Sequence, residues 1–572
     1  MAKGKVVPIA IGSLLGVALV VGVFVTVRHS GSSDSKSGDG DADKLSTSNK
    51  AIDSLCQPTS YRETCVSSLT SAAGNTSDPK ELVKVAFKLA KQEIASALHK
   101  SATFKAAEND PRAKQGLEIC REVIEYAVHD LESSTESVAN FNFSNLDDFL
   151  EDLKVWVGGA ATYQEVCFDA FENATSDTGL KMRELFNASH QLTSNALTMI
   201  SEVKSIVSTL NVEGLISGRR LLQANSAAAL PQAGQLPAWI SDQKRNLMQM
   251  PASSIKPDVV VSLDGKGQFK TIHEALALVP KKNSKPFIIY IKAGVYHEHV
   301  TVDKKMTDVV FIGDGATKTK ITGNKSFKDG IQTFKTATVA IMGEGFMARG
   351  IGFENTAGPE GHQAVAIRVV GDYSVFYDCQ FDGYQDTLYA VRSRQFYRDC
   401  TISGTIDFIF GDAQVIFQNC KMVIRKPLDN QQCMVTAQGR TEKMGPGAII
   451  LQNCTVTADP AYYPVRMQTK AYLGRPWKQY SRTIVMQSFI DDAIAVEGWT
   501  EWAGTFGLDT LFYAEYGNRG PGAAQSKRVK WPGIKKLSPQ QAQGFTPELF
   551  FKGSQWITPT GAPYSAGMIK TT

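Results

Sequence analysis

Hydrophobic and polar positions fall into three patterns along the chain. Val6–Val27 is an uncharged apolar run of 22 residues, with Lys3 and Lys5 before it and Arg28 after it. As a helix it reaches ~33 Å, enough to cross a bilayer core. Residues 1–30 therefore read as either a cleaved signal peptide or a retained signal-anchor transmembrane segment, and the positive flank sends the rest out of the cytosol in both cases. Residues 31–50, rich in Ser, Gly, Asp and Lys, are expected to form a flexible stalk. Residues 51–210 then carry apolar stripes at spacings of three, four and seven: Leu82, Val85, Leu89 and Leu98; Leu117, Cys120, Ile124, Val128 and Leu131; Leu146, Phe149, Leu150, Leu153 and Val157; and a fourth from about Leu180 to Leu210. That is helical periodicity, and four long amphipathic helices with short connections predict a four-helix bundle.

From about Lys256 the period changes to short strands punctuated by Gly, Asn and Asp, and a repeat emerges. Phe376-Tyr377-Asp378-Cys379, Phe396-Tyr397-Arg398-Asp399-Cys400, Ile416-Phe417-Gln418-Asn419-Cys420 and Ile450-Leu451-Gln452-Asn453-Cys454 each end an apolar run in Asp-Cys or Asn-Cys. The cysteine gaps are 21, 20 and 34 residues. A period near 20 without helices between the strands predicts a parallel β-helix, with the long gap a coil enlarged by a loop. Stacking places residues one coil apart at about 4.8 Å on the same face. Cys379, Cys400 and Cys420 thus form a column in which one neighbouring pair can bond and one thiol is left over. In the front half Cys56, Cys65, Cys120 and Cys167 can pair fully, Cys120 with Cys167 stapling two helices.

Charge separates the two halves. Residues 1–248 hold 24 Lys+Arg against 29 Asp+Glu, and residues 249–572 hold 37 against 28. A basic rear half suits a polyanionic target. Neither the secretory route nor the motifs support a nucleic acid as that target. Between the halves, residues 211–250 form a linker with basic pairs at Arg219-Arg220 and Lys244-Arg245, both suited to proteolytic processing. Six Asn-x-Ser/Thr acceptors (Asn75, Asn142, Asn173, Asn187, Asn324, Asn453) fit the secretory route.

The coil register also yields a polar column. Asp386 and Asp407 are 21 apart, and Gln363 and Gln385 are 22 apart, with Tyr384, Tyr389, Phe408 and Phe410 around them. Two carboxylates ~5 Å apart at an effective dielectric of ~20 repel by about 3 kcal/mol, roughly two pKa units. That splits them into an acid and a nucleophile. Leu473-Gly474-Arg475-Pro476-Trp477, expected as a loop over the column, adds a guanidinium for a carboxylate and an indole for a sugar ring. His297-Glu298-His299 lacks a third ligand, and no G-x-S-x-G elbow is present, so neither a metal site nor a serine esterase is expected.

Two family resemblances rest on these residues. The paired early cysteines followed by two on bundle helices make residues 51–210 resemble the plant invertase and pectin methylesterase inhibitor family. Gly294-Val295-Tyr296-His297-Glu298, Gln363 to Arg368, Gln385-Asp386-Thr387-Leu388, Asp407 to Gly411 and Leu473 to Trp477 resemble, in order, the signature blocks of plant pectin methylesterases. The resemblance implies an α + β multidomain chain in which residues 251–572 form a right-handed parallel β-helix acting on methylesterified homogalacturonan, with no metal or cofactor. It implies Asp407 as nucleophile, Asp386 as acid and then base, Gln363 and Gln385 as oxyanion donors, and Arg475 holding Asp407. Trp477 and Thr333 are the implied substrate contacts. Cys400–Cys420 is the disulfide expected in this half. The bundle is expected to restrain the enzyme until a subtilisin-like protease cuts at Arg219, Arg220 or Arg245, and a proteinaceous inhibitor is a further partner. The competing readings are a β-helix glycoside hydrolase or lyase on the same polymer, and a protein that is chiefly an inhibitor.

Overall fold

The computed structural model describes residues 40–101, 110–140, 146–209, 247–250, 254–283 and 285–570. The apolar run Val6–Val27, the acceptor Asn142 and the basic residues Arg219, Arg220 and Arg245 lie outside them. No described helix is long and apolar enough to cross a membrane. The chain divides into two compact units.

Six helices make up the first unit among the described residues: α1 Gly40–Cys56, α2 Arg62–Ala72, α3 Pro79–Ser101, α4 Pro111–Asn140, α5 Leu146–Asp169 and α6 Thr178–Thr209. The last four are the helices the stripes predict, with α3 against α4 and α6, and α5 against the same two. Leu82, Phe87, Ile94, Ile124, Leu131, Val157 and Phe186 are buried. Inside the bundle, Gln164 Nε2 donates to Thr193 Oγ1 at 3.2 Å and Ser189 Oγ donates to Gln164 Oε1 at 2.9 Å, so the buried amide is satisfied. Cys120 is bonded to Cys167, as expected, and Cys56 to Cys65. The stalk expectation fails over Gly40–Lys50, which is helical. The reason lies just downstream, where Ile52 and Leu55 are buried and Cys56 is tied to α2, so the helix they anchor extends back through the polar residues.

The second unit is built from three parallel sheets of 11, 8 and 7 strands, and successive coils contribute one strand to each. One coil runs Arg394–Arg398, Thr401–Gly404, Ile409–Gly411; the next runs Gln414–Gln418, Lys421–Ile424, Cys433–Gln438. This is the predicted parallel β-helix. The 34-residue gap is taken up by the connections on either side of Cys433–Gln438.

The repeated Asp/Asn-Cys dipeptide has a backbone cause. Asp378, Asp399, Asn419 and Asn453 turn the chain between two sheets with φ of 51°, 52°, 58° and 52°, a left-handed conformation that Asp and Asn tolerate. The cysteine after each points into the core beside Phe376, Tyr397 and Phe417. The expected Cys400–Cys420 disulfide is absent: Cys379, Cys400, Cys420, Cys433 and Cys454 are all free and buried. Cys400 and Cys420 are neighbours on successive coils whose thiols interact without a covalent bond. Cys400 Sγ contacts Arg398 O at 3.2 Å and Cys420 Sγ contacts Tyr397 O at 3.4 Å as weak donors.

The ends of the second unit are tied together. Leu247 and Met248, placed by the sequence in the linker, are buried with Phe551, Trp556 and Ile557, and Met248 N–H donates to Thr560 O at 3.0 Å. Hydrogen-bonded glutamines on three successive coils, Gln418, Gln452 and Gln487, grip the tail. Their Nε2 groups donate to the carbonyls of Ser565, Gly567 and Ile569.

Replacing Cys120 and Cys167 together by Ser should lower the stability of the first unit by roughly 2–4 kcal/mol, read from chemical denaturation. The Cys400→Ser, Cys420→Ser double variant tests the free thiols of the second unit. The melting transition of the second unit should not respond to reductant in this variant or in the parent, whereas that of the disulfide-bonded first unit should in both.

Candidate active site

The site lies on the sheet that includes Ile367–Val369, Leu388–Ala390, Ile409–Gly411, Cys433–Gln438 and Ala471–Pro476. Leu388 pairs with Ile409, so Asp386 and Asp407, each two residues upstream, occupy the same position of consecutive coils. Asp386 N–H donates to Ile406 O at 3.0 Å, which closes this register ahead of the strands. Both aspartates have positive φ, 65° and 50°, and both are buried, 7% and 4% exposed. The glutamines are one position out of step. Ile367 pairs with Leu388, which sets Gln385 opposite Ala364, with Ala364 N–H donating to Gln385 O at 3.1 Å. Gln363 and Gln385 are therefore diagonal neighbours. Their half-buried side-chain amides have no hydrogen-bond partner among the described residues, so each keeps donors for a bound group.

Arg475 arrives from two coils away. Ala471–Pro476 is a strand, not the expected loop over the column. Phe410, Ala437 and Arg475 share one column, and the small side chain of Ala437 leaves space for the guanidinium to reach back past it. Arg475 Nε donates to Asp407 Oδ1 at 2.9 Å, and Nη2 donates to Oδ2 at 2.6 Å, a two-pronged ion pair.

Burial pushes the Asp407 carboxyl above its ordinary value, and Arg475 pulls it partly back. Burial is the largest upward cause, where the sequence suggested repulsion from Asp386. Burial also works against the Arg475 cation, but Asp407 and then Asp386 more than restore it, leaving the guanidinium above its usual value.

Aromatic rings line the same face. Tyr389 stacks on Phe410 with centroids 4.2 Å apart, and Trp477 meets Phe410 edge-on at 5.8 Å. The helical turn Thr333–Lys335 brings Phe334 to 6.4 Å from Tyr389 and under the Arg368 guanidinium, so Thr333 stands at the edge of the aromatic row. Gly439 is required here: a Cβ there would lie 2.7 Å from Trp477 Cε3. Asp386, Asp407, Arg475, Gln363, Gln385, Trp477 and Thr333 thus all come from this sheet or its margins.

Sequence reasoning missed Trp502, whose ring lies 4.2 Å from Arg475 Cζ. Its only sequence signal is the closely spaced pair Trp499 and Trp502 after the Arg475 block. It also left Glu298 without a role. That carboxylate accepts the Ile272 and His273 N–H groups at 3.0 and 3.1 Å and so caps a short helix.

Arg475→Gln should raise the Asp407 carboxyl further, because it removes the cation that favours the anion and leaves burial unopposed. A carboxyl held above its unfolded value adds stability at acid pH, and that contribution fades as pH rises through the folded value. The variant should therefore lose roughly 3 kcal/mol relative to the parent at neutral pH and less under acid conditions, read from denaturation across pH together with carboxyl NMR titration.

Residues 258–554 match the family described as Pectinesterase, and residues 50–199 match the family Plant invertase/pectin methylesterase inhibitor. The Arabidopsis thaliana protein named Probable pectinesterase/pectinesterase inhibitor 58 is 48% identical over 571 residues, covering 98% of each chain. The Petunia integrifolia protein named Pectinesterase is 53% identical over 392 residues, 68% of this chain and 100% of its own. A solved structure, Pectin methylesterase from Carrot, is 49% identical and superposes with a TM-score of 0.55 over 56% of this chain and 100% of its own. With the parallel β-helix, the aspartate pair and the helical first unit in place, the chain belongs to the pectinesterase family of carboxylic ester hydrolases and carries an inhibitor-family domain ahead of its esterase domain.

Proposed function

We propose that the β-helix unit hydrolyses the C6 methyl esters of galacturonate in methylesterified homogalacturonan, giving pectate and methanol. The observation that carries this reading is the two-pronged Arg475–Asp407 pair, one coil from a second buried aspartate and flanked by aromatic rings. The Asp407 carboxylate attacks the ester carbonyl carbon, and the side-chain amides of Gln363 and Gln385 donate to the oxyanion. Collapse breaks the C6–OCH3 bond, and Asp386 supplies the proton that methoxide takes away as methanol. Asp386, now anionic, accepts a proton from water as the water oxygen attacks the acyl-enzyme. This frees the galacturonate carboxyl and restores the Asp407 carboxylate. Arg475 keeps Asp407 ionised and aimed, while Trp477 stacks on a sugar ring and Thr333 contacts the polymer at the end of the row.

The first unit acts as an autoinhibitory pro-region in this reading. The chain enters the secretory pathway through residues 1–30, is glycosylated, and is cut by a subtilisin-like protease at Arg219, Arg220 or Arg245 on its way to the plant cell wall. Membrane contact is confined to the N-terminal segment. A separate inhibitor of the same family as the first unit is a partner of the released enzyme.

Methanol release from methylated pectin, with polymer length followed in parallel, tests the chemistry. Methanol should appear without chain shortening, Asp407→Asn should reduce it to background while polymer binding persists, and Gln385→Ala should lower kcat by about 10²–10³. Chain shortening would instead favour a glycoside hydrolase or lyase. For the pro-region, specific activity should rise when folded full-length protein is cut in the linker, and equal activity before and after would remove its inhibitory role.

A further inference from the structure

The segment after the Arg475 strand is attached to that strand by its backbone. Leu473 N–H donates to Gly498 O at 2.7 Å, Thr500 N–H donates to Gly474 O at 3.1 Å, and Gly474 forms a parallel bridge with Trp499. On its other side Gly474 packs against the preceding coil, where a Cβ would lie 2.2 Å from Thr436 Oγ1. Trp499 is fully buried and packs on Tyr513, centroids 4.5 Å apart, which fixes the start of the segment. Three residues on, Trp502 is half-buried with its indole over the Arg475 guanidinium at 4.2 Å. Arg475 therefore has two fixed partners: the Asp407 carboxylate at Nε and Nη2, and the indole over its plane.

We propose that Trp502 is a positioning residue for ester hydrolysis, keeping Arg475 in place when Asp407 is no longer an anion. The inference rests on the function proposed above. When Asp407 forms a bond to the ester carbonyl carbon, its negative charge passes to the ester oxygen, then to the departing methoxide, and ends on Asp386 when that residue gives methoxide its proton. In the acyl-enzyme Asp407 is neutral, so the guanidinium has lost the anion bonded at its Nε and Nη2, and the new anion, Asp386 one coil away, draws it from that position. An arginine side chain has several rotatable bonds and swings away easily once unpaired. The electron-rich indole face attracts the cation at every stage and uses none of the N–H groups that Asp407 needs on its return. Trp502 acts through Arg475 and leaves the reacting atoms to the aspartates and glutamines. The other charged or titratable groups facing this centre are Asp386, one coil away, and Tyr513, which lies within electrostatic reach of both Asp407 and Arg475.

The test uses the active esterase with methylated pectin, comparing Trp502→Leu with Trp502→Phe and the parent. Trp502→Leu should lower kcat about tenfold with KM within twofold, and should move the acid limb of the kcat profile to higher pH because Asp407 is held less firmly as an anion. Trp502→Phe, which keeps a ring face, should recover most of kcat and return the acid limb toward the parent's. If the leucine variant does not fold, Trp502→Gln at this half-buried position supplies the same comparison. An unchanged kcat and acid limb would overturn the proposal. So would a raised KM at unchanged kcat, which would make the indole a sugar contact instead. Lack of methanol release by the parent would overturn the esterase reading itself, whereas an active parent with indifferent Trp502 variants would sink only this inference.

Discussion

Main-chain hydrogen bonding between successive parallel coils is the constraint on which the esterase unit depends. In a β-helix each coil is held only by the one before and the one after, so a side chain's lateral position is set by the number of residues in its coil. The 21 residues from Asp386 to Asp407 make one complete coil, and the two carboxyls fall at one position of the column. Gln363 and Gln385, separated by 22, fall on a diagonal instead, with Ala364 taking the place opposite Gln385. One residue of difference in coil length thus separates a stacked pair from an offset one.

The same architecture explains why acidic residues appear where the chemistry is. Corners between sheets need left-handed backbone, and in this chain Asp and Asn supply it at 378, 399, 419 and 453 without any chemical role. Asp386 and Asp407 adopt the same conformation at the corner leading into the site sheet, whereas their column neighbours Val365 and Met434 do not. A left-handed residue that is not glycine costs of order 1–3 kcal/mol, sustained here by the coils on either side. The backbone thus projects these two carboxyls from corners, while Arg475 and Phe410 project from the strands themselves.

Much of this was legible from spacing alone. The helical stripes marked α3 to α6, and the Asp-Cys and Asn-Cys repeat marked the coils, because both report a period that packing then has to respect. The aspartate column followed from the same count. What spacing could not convey was anything set across coils by side-chain reach. Arg475 touches Asp407 only because Ala437 lies between the coils, and Trp502 meets Arg475 through a backbone bridge from a segment with no periodic signature. The cysteine column was legible, but the bonding state of Cys400 and Cys420 was not, since spacing brings two thiols together whether or not they bond. The start of the first unit was misread because polar composition suggested a stalk, whereas a few buried residues at the far end of α1 suffice to order it.

The glutamine ladder that grips residues 565–569 bears on how the esterase unit is made. Coils can stack as they emerge during synthesis, each templated by its predecessor. The outer amides of Gln418, Gln452 and Gln487, however, wait for the carbonyls of residues 565–569, which follow every coil in the chain. The unit is therefore sealed last at its outer wall, after every coil of the reaction centre has been laid down, and a ribosome that stops before residue 565 releases a stacked but unlatched solenoid.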